Sequence, residues 1–117
     1  MSRYQGWDAP NLKEQLAASV KLVKKKTEKS FQADVTKIAT LYGWKFYHTW
    51  NSFHSVAGFP DLVMARPPRL IFAELKSDLG KLTTEQISWS SILAGCPGVE
   101  SYIWRPKHID DVVRILK

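Results

Sequence analysis

Residues 61–76 read DLVMARPPRLIFAELK, the clearest structural pattern in the chain. Two apolar runs flank the Arg-Pro-Pro-Arg sequence at 66–69, which favours a tight reversal. The stretch therefore predicts an antiparallel hairpin with strands over 61–66 and 70–76. Since side chains alternate across a strand, Glu74 and Lys76 share one face of the second strand. Asp61 and Lys76 then lie at the same open end of the hairpin, with Glu74 within reach.

The segments around this hairpin predict an α/β fold. Upstream, a helix over 28–42 ends at Gly43, and a strand follows over 45–50. Downstream, a helix over 84–94 precedes a strand over 99–104 and a last helix that begins near Ile109. The predicted order is α-β-β-β-α-β-α, a mixed sheet flanked by helices. The predicted core faces of the first and last of these helices are Phe31, Val35, Ile38, Ala39 and Tyr42, and Ile109, Val112, Val113 and Leu116.

Length and charge limit the possible functions. The chain has 117 residues and a formal net charge of +6, so we expect one domain that binds a nucleic acid. Part of the excess charge is a lysine run between 21 and 29, which by itself is more typical of a solvated helix face. Asn11 is a candidate cap for a helix through about Lys26. With one cysteine, Cys96, the chain has no intramolecular disulfide.

No run of residues is long and apolar enough for a membrane span, and the first residues lack the apolar core of a signal peptide. We therefore expect a cytoplasmic protein that acts without a membrane.

The ionisable residues at the open end of the hairpin have a chemical interpretation. Mg²⁺ prefers oxygen ligands and is often held by one or two carboxylates together with substrate phosphate. Asp61 and Glu74 supply such carboxylates, and the backbone carbonyl of Leu75 is a further candidate ligand. Lys76 is placed to position a water or to stabilise charge on the phosphoryl oxygens. This set of residues predicts hydrolysis of a phosphodiester, although Glu74 and Lys76 are also compatible with a simple ion pair on one face of a strand.

Two more polar residues lie on helix faces that point toward the sheet. Glu28 continues the face of Phe31 and Val35, although an acid in the first turn of a helix is common. Gln86 shares a face with Trp89, although it also completes a capping box with Thr83.

Several segments together resemble the VRR-NUC (virus-type replication-repair nuclease) family, a branch of the PD-(D/E)XK nucleases. The similar segments are Gly58-Phe59-Pro60-Asp61-Leu62-Val63, Phe72-Ala73-Glu74-Leu75-Lys76-Ser77, Gly80-Lys81-Leu82-Thr83 with Gln86, Glu28 with Phe31-Gln32, and Tyr102-Ile103-Trp104-Arg105-Pro106. The resemblance covers about residues 27–117, which we take as the nuclease-like domain, and leaves 1–26 as an N-terminal arm and basic helix.

The resemblance implies a restriction-endonuclease-like core and an endonuclease that depends on Mg²⁺, with Mn²⁺ as a substitute. It assigns Asp61 and Glu74 to the metal, Lys76 to catalysis, Glu28 to the helix acid and Gln86 to the motif glutamine. Stand-alone members of this size resemble phage and bacterial homodimers that cut branched DNA, such as four-way junctions, in repair and recombination. The implied location is a bacterial or phage-infected host cytosol, and no nucleotide cofactor is implied.

Further contacts to DNA are expected from cations and polar residues near the site. The candidates are Lys81, Arg66, Arg69, Arg105, His54 and Ser52. Trp50 and Phe53 are candidates for stacking on exposed bases, although aromatic residues in such segments more often belong to a core. Two other functions remain open: a non-catalytic nucleic-acid-binding module on the same fold, and a sequence-specific nuclease of the restriction type.

Overall fold

The computed structural model describes residues 11–13, 26–50 and 56–117 of the chain. The predicted order α-β-β-β-α-β-α is confirmed within these ranges. The elements are α1 (Glu28–Leu41), β1 (Lys45–His48), β2 (Leu62–Arg66), β3 (Arg69–Leu75), α2 (Thr84–Ala94), β4 (Glu100–Trp104), a 3-10 turn (Pro106–His108) and α3 (Ile109–Leu116).

The strands form a mixed four-stranded sheet in the order β1-β2-β3-β4. β1 and β3 each pair antiparallel with β2, whereas β4 pairs parallel with β3. The predicted hairpin is confirmed: β2 and β3 pair from Leu62 opposite Ala73 to Arg66 opposite Arg69. The open end of the hairpin therefore carries both Asp61 and the Glu74–Lys76 segment.

Helices cover both faces of this sheet. Ile71, Ala73 and Leu75 of β3 are fully buried on one face, in a single cluster with the apolar faces of α1 and α3. On the other face, the ring of Phe72 meets Phe59 edge-on, and Phe59 meets Trp89 of α2 in the same way. Both predicted helix faces are confirmed: of the residues predicted to form them, all are buried except Tyr42, which is partly buried against the core.

The strand predicted over 45–50 is shorter in the structure, because β1 ends at His48. The backbone N–H of Thr49 still donates to the carbonyl of Asp61 at 2.8 Å. This bond extends the register of β1 and β2 by one position, to Thr49 opposite Asp61, and Trp50 lies beyond it. Trp50 is therefore past the end of the strand and exposed, which corrects the expectation that this residue belongs to the core.

The N-terminal segment is described only in part. Residues 12–13 are helical and Leu12 packs against the core, whereas 14–25 lie outside the described residues. Most of the helix predicted from Asn11 to about Lys26 is therefore untested, and the division of the chain at residue 27 stays a prediction. Within the described ranges, no helix is long and apolar enough to cross a membrane.

Candidate active site

The hairpin places Asp61 next to Glu74. Leu62 pairs with Ala73, and continuing that register by one residue brings Asp61 opposite Glu74. The backbone N–H of Leu75 donates to Oδ2 of Asp61 at 2.8 Å, which orients this carboxylate toward the end of β3. Burial raises the pKa of Asp61, while the Leu75 N–H and the Lys76 ammonium lower it. The same backbone segment that carries Glu74 therefore also holds its partner acid.

Glu74 is a buried acid without a salt bridge or a well-aligned hydrogen bond in the described residues. It lies near the end of β3, on the same face as Phe72, and only 1% of the residue is exposed. Neither carboxylate oxygen makes a well-aligned hydrogen bond to the described residues, although the backbone N–H of Asp61 lies near enough to lower the pKa of Glu74. Burial and the neighbouring charge of Asp61 raise the pKa of Glu74 from 4.5 to about 8, against the opposing effect of Lys76. Burying an ionised carboxylate costs free energy unless a positive charge accompanies it. A cation bound at this position would therefore stabilise the ionised form of Glu74.

Lys76 and Glu28 complete the charged group. The N–H of Lys76 donates to the carbonyl of Trp104 at 3.0 Å, so β4 holds the end of β3 in place. Burial and the charge of Asp61 raise the pKa of Glu28, and Lys76 lowers it. The ammonium of Lys76 thus acts on all three carboxyl groups. The structure therefore brings together Glu28, Asp61, Glu74 and Lys76, which the sequence predicted from three separate segments.

Gln86 has a structural contact that accounts for its position. Its backbone N–H donates to Oγ1 of Thr83 at 3.1 Å, and its side-chain Oε1 accepts from the N–H of Thr83 at 2.9 Å. This reciprocal pair caps the first turn of α2, as the alternative interpretation of the sequence expected. A role for Gln86 in the reaction stays a prediction.

The loop before Asp61 depends on a glycine whose role the sequence pattern did not reveal. Gly58 has a φ of +88°, and a Cβ at this position would lie 2.5 Å from the backbone carbon of Glu85. Only glycine allows both that conformation and that approach to the first turn of α2. The Gly-Phe-Pro sequence before Asp61 indicated a turn at this position, but not its close packing against α2.

Thr49 is a second residue whose role became clear only in the structure. Its hydroxyl donates to the carbonyl of Pro60 at 2.8 Å, and its backbone N–H donates to the carbonyl of Asp61. Thr49, the residue after β1, therefore holds the backbone of Asp61 from one side while β3 holds its carboxylate from the other. A threonine at a strand end carries no distinctive sequence signal, so the pattern alone could not identify it.

The arginines predicted to contact DNA have partners within the chain. Arg66 Nη1 donates to the carbonyls of Tyr42 and Leu116, and Arg69 forms a bidentate pair with Glu100 at 2.7 Å. Both lie at the closed end of the hairpin, roughly 15 Å along the strands from Asp61. Both arginines therefore have partners in the fold, and contact of either with DNA stays a prediction.

The other candidates near the site stay predictions. Arg105 Nη1 donates to the carbonyls of Ser77 and Gly80, so it organises the loop that follows Lys76. Lys81 is exposed. Ser52 and His54 lie outside the described residues.

The donor set fits a hard divalent cation. Within the described ranges, no group of three or more His, Cys, Asp or Glu side chains is placed to hold a metal on its own. Mg²⁺ does not require one, because it is commonly held by one or two carboxylates, with waters and substrate phosphate in the remaining positions. Asp61 and the unpartnered oxygens of Glu74 provide such a pair.

Comparison with known proteins rests on the fold. No protein-family model matches the chain, and no curated protein matches it in sequence. A solved structure of a VRR_NUC domain matches with a TM-score of 0.62 at 18% sequence identity, covering 76% of this chain and 97% of that one. The chain thus has the nuclease-family fold of a VRR_NUC domain, which confirms at the level of the fold the resemblance found in its sequence.

Proposed function

We propose that this protein is a divalent-metal-dependent endonuclease that hydrolyses phosphodiester bonds in DNA. The observation that carries the proposal is the buried carboxyl group of Glu74, which has no salt bridge or well-aligned hydrogen bond in the described residues and lies beside Asp61 and Lys76. A nuclease-family fold and a net charge of +6 support the same function.

In this proposal, Asp61 and Glu74 hold Mg²⁺, which Mn²⁺ can replace. The bound ion supplies polarisation of the scissile phosphate and lowers the pKa of a water. Asp61 is already oriented by the N–H of Leu75, so its carboxylate needs little rearrangement to bind. The carbonyl of Leu75 remains a proposed third ligand.

Lys76 and Glu28 act around that pair. The ammonium of Lys76 stabilises the negative charge that develops on the phosphoryl oxygens, since it already offsets the three nearby carboxyl groups. Glu28 lies on the first turn of α1. Its carboxylate accepts either a proton or a hydrogen bond from a water in the site. The side-chain oxygen of Gln86 caps α2, so its amide nitrogen is the group that contacts substrate.

Branched DNA is the proposed substrate, and a homodimer is the proposed form, as the resemblance to stand-alone VRR-NUC members suggests. Two sites at a fixed separation would produce paired cuts across a four-way junction. The restriction-type alternative keeps the same residues and changes only the selectivity.

A non-catalytic binding module is the competing function. Glu74 argues against it, because a protein that only binds DNA gains nothing from a buried acid without a salt bridge. Such a group lowers stability unless a cation accompanies it.

Cleavage of labelled DNA tests the proposal. The wild type and Glu74→Gln are incubated with a four-way junction and with a linear duplex of the same arms, in Mg²⁺, Mn²⁺ or EDTA. We expect metal-dependent cutting of the junction by the wild type and a loss of at least a hundredfold in Glu74→Gln, on the order of other removed catalytic groups. Equal cutting of both substrates would reject the branched preference alone. Tight binding without cutting in any metal would favour the binding module.

A further inference from the structure

A groove runs from the candidate active site along the outer surface between α1 and the end of β1. It encloses about 720 Å³, within the range of sites that hold small ligands. Glu28 and Asp61 line one end, so the groove and the charged site share two residues. Its α1 wall includes Lys29 and Gln32, and its other wall is formed by Phe46, His48 and Trp50.

The aromatic wall of this groove is unusually exposed. Trp50 is 68% exposed and Phe46 is 36% exposed. The rings of His48 and Trp50 touch, with centroids 4.2 Å apart and planes inclined at 55°, and this contact supports the indole while leaving most of it in solvent. Large aromatic side chains gain considerably from burial, so an exposed indole in a groove is well suited to cover a flat ligand.

The α1 wall supplies polar groups that have no partner among the described residues. Lys29 forms no salt bridge there, and the side-chain amide of Gln32 makes no hydrogen bond there. An ammonium and an amide opposite a pair of aromatic rings are the groups that bind a phosphate and the edge of a base.

The position of Trp50 relates the groove to the reaction. Trp50 follows Thr49, whose N–H donates to the carbonyl of Asp61. One step along the chain and one across the strands place the backbones of Trp50 and Asp61 within roughly 10 Å of each other. A nucleotide adjacent to a phosphate held at Asp61 therefore reaches the aromatic wall.

We propose that this groove binds an unpaired nucleotide next to the scissile phosphate, with its base stacked on Trp50 and its phosphate near Lys29. The base must be unpaired, because bases inside a duplex already stack on each other and present no free face. Stacking of this kind tolerates any base, so it selects a DNA structure rather than a sequence. The inference deepens the proposed function, on which it rests for the placement of the phosphate.

Binding measurements in EDTA test the groove without any cleavage. Fluorescence anisotropy compares the wild type with Trp50→Ala, Trp50→Phe and Tyr47→Ala. The ligands are a short labelled single strand, the same strand with abasic sugars, and a duplex. Tyr47 is the matched control, because it is a 61% exposed aromatic residue of β1 that alternates to the opposite face from Phe46 and His48.

We expect Trp50→Ala to weaken binding of the base-bearing strand by about tenfold, the size of one lost stacking contact. Trp50→Phe should restore most of the affinity, and Tyr47→Ala should match the wild type. On the abasic strand and on the duplex, all four proteins should bind equally.

Two results would overturn the proposal: wild-type affinity of Trp50→Ala for the base-bearing strand, or an equal loss on the abasic strand. Unfolding temperatures identify any variant that fails to fold. If Trp50→Ala fails to fold, the wild type and Trp50→Phe decide the question, because both must bind the base-bearing strand more tightly than the abasic strand. None of these readouts requires cleavage. A protein that binds as expected but does not cut DNA would therefore reject the nuclease function and keep the groove.

Discussion

Glu74 links the candidate site to the stability of the chain. Its pKa rises from 4.5 to about 8 mainly through burial, so the folded protein keeps a proton that the unfolded chain releases near pH 4.5. Between these values the unfolded state binds fewer protons, and stability falls as the pH rises. Its contribution to stability is therefore complete below pH 4.5 and lost once the pH passes about 8.

We predict that the protein in EDTA is less stable at pH 9 than at pH 5, and that Glu74→Gln removes most of this difference. The span between the two pKa values corresponds to at most about 5 kcal/mol of unfolding free energy. Urea unfolding of both proteins across this range measures it. Parallel pH profiles of wild type and Glu74→Gln would show that Glu74 is not the buried acid described above.

Gly58 gives a second prediction for a single residue. Gly58→Ala forces a Cβ into the backbone of Glu85 and strains a residue at φ +88°. We expect a loss of about 2 kcal/mol of stability, on the scale of other backbone-strain substitutions, and a fall in cleavage because the loop ends at Asp61. Gly98→Ala is the control, since Gly98 has a similar φ of +79° but nothing within 4 Å of the added atom. If the two variants lose equal stability and activity, close packing against α2 does not matter.

Sequence alone predicts a residue well when its pattern has one structural meaning. Alternation in β3 and the reversal at 66–69 were enough to bring Asp61 beside Glu74. The exposure of Trp50 was not predictable, because it depends on β1 ending at His48. The aromatic run over 45–50 does not show where within it the strand ends.

At the level of elements, the carboxyl end of α3 is held by side chains from the sheet and the loop before it. The carbonyl of Leu116 accepts from the indole of Trp44 at 2.8 Å and from Arg66 at 3.0 Å, while the carbonyl of Ile115 accepts from Arg69 at 2.8 Å. The last carbonyls of a helix lack partners in the helix itself, and positive charge at that end is favourable. Arg66 and Arg69, which the sequence suggested as DNA contacts, therefore have partners at the end of a helix. The sequence shows that these residues are charged but does not show that they lie beside the end of α3.

We predict that Arg66→Ala lowers the unfolding free energy by about 1 to 3 kcal/mol, because it removes the arginine donor from the partly buried carbonyl of Tyr42 and one of two side-chain donors from that of Leu116. Arg114→Ala removes the same charge from an exposed pair with Asp111 and should cost less than about 1 kcal/mol. Chemical denaturation compares them. DNA cleavage below the unfolding transition should be equal in the two variants. Weaker cleavage by Arg66→Ala alone would indicate that Arg66 also contacts DNA.

At the level of the whole molecule, α2 carries two exposed isoleucines, about 140° apart around the helix and on either flank of its outer side, that are suited to contact a second copy. Ile87 is 49% exposed and Ile92 is 62% exposed, on a helix with one charged residue, Glu85. Each copy carries a net charge of +6, so two copies repel one another where surfaces rich in lysine and arginine meet. This repulsion is weaker across α2, which carries no basic residue.

We therefore predict that the protein is a dimer in solution and that Ile87→Asp with Ile92→Asp makes it monomeric. Light scattering after size exclusion measures the mass of each. Leu41→Asp is the control, because Leu41 is 52% exposed at the end of α1. A wild-type monomer, or a double variant that stays dimeric, would show that α2 is not the interface.

Binding of Mn²⁺ tests most directly the central claim that Asp61 and Glu74 hold a divalent cation. The signal of the free ion in electron paramagnetic resonance, followed during a titration at pH 8, reports binding without DNA or cleavage. We predict binding by the wild type and by Glu85→Gln, whose carboxylate is exposed on α2. Asp61→Asn and Glu74→Gln should each weaken that binding by at least tenfold, since each removes one of two charged ligands. Binding by Glu74→Gln at the wild-type affinity would contradict the claim.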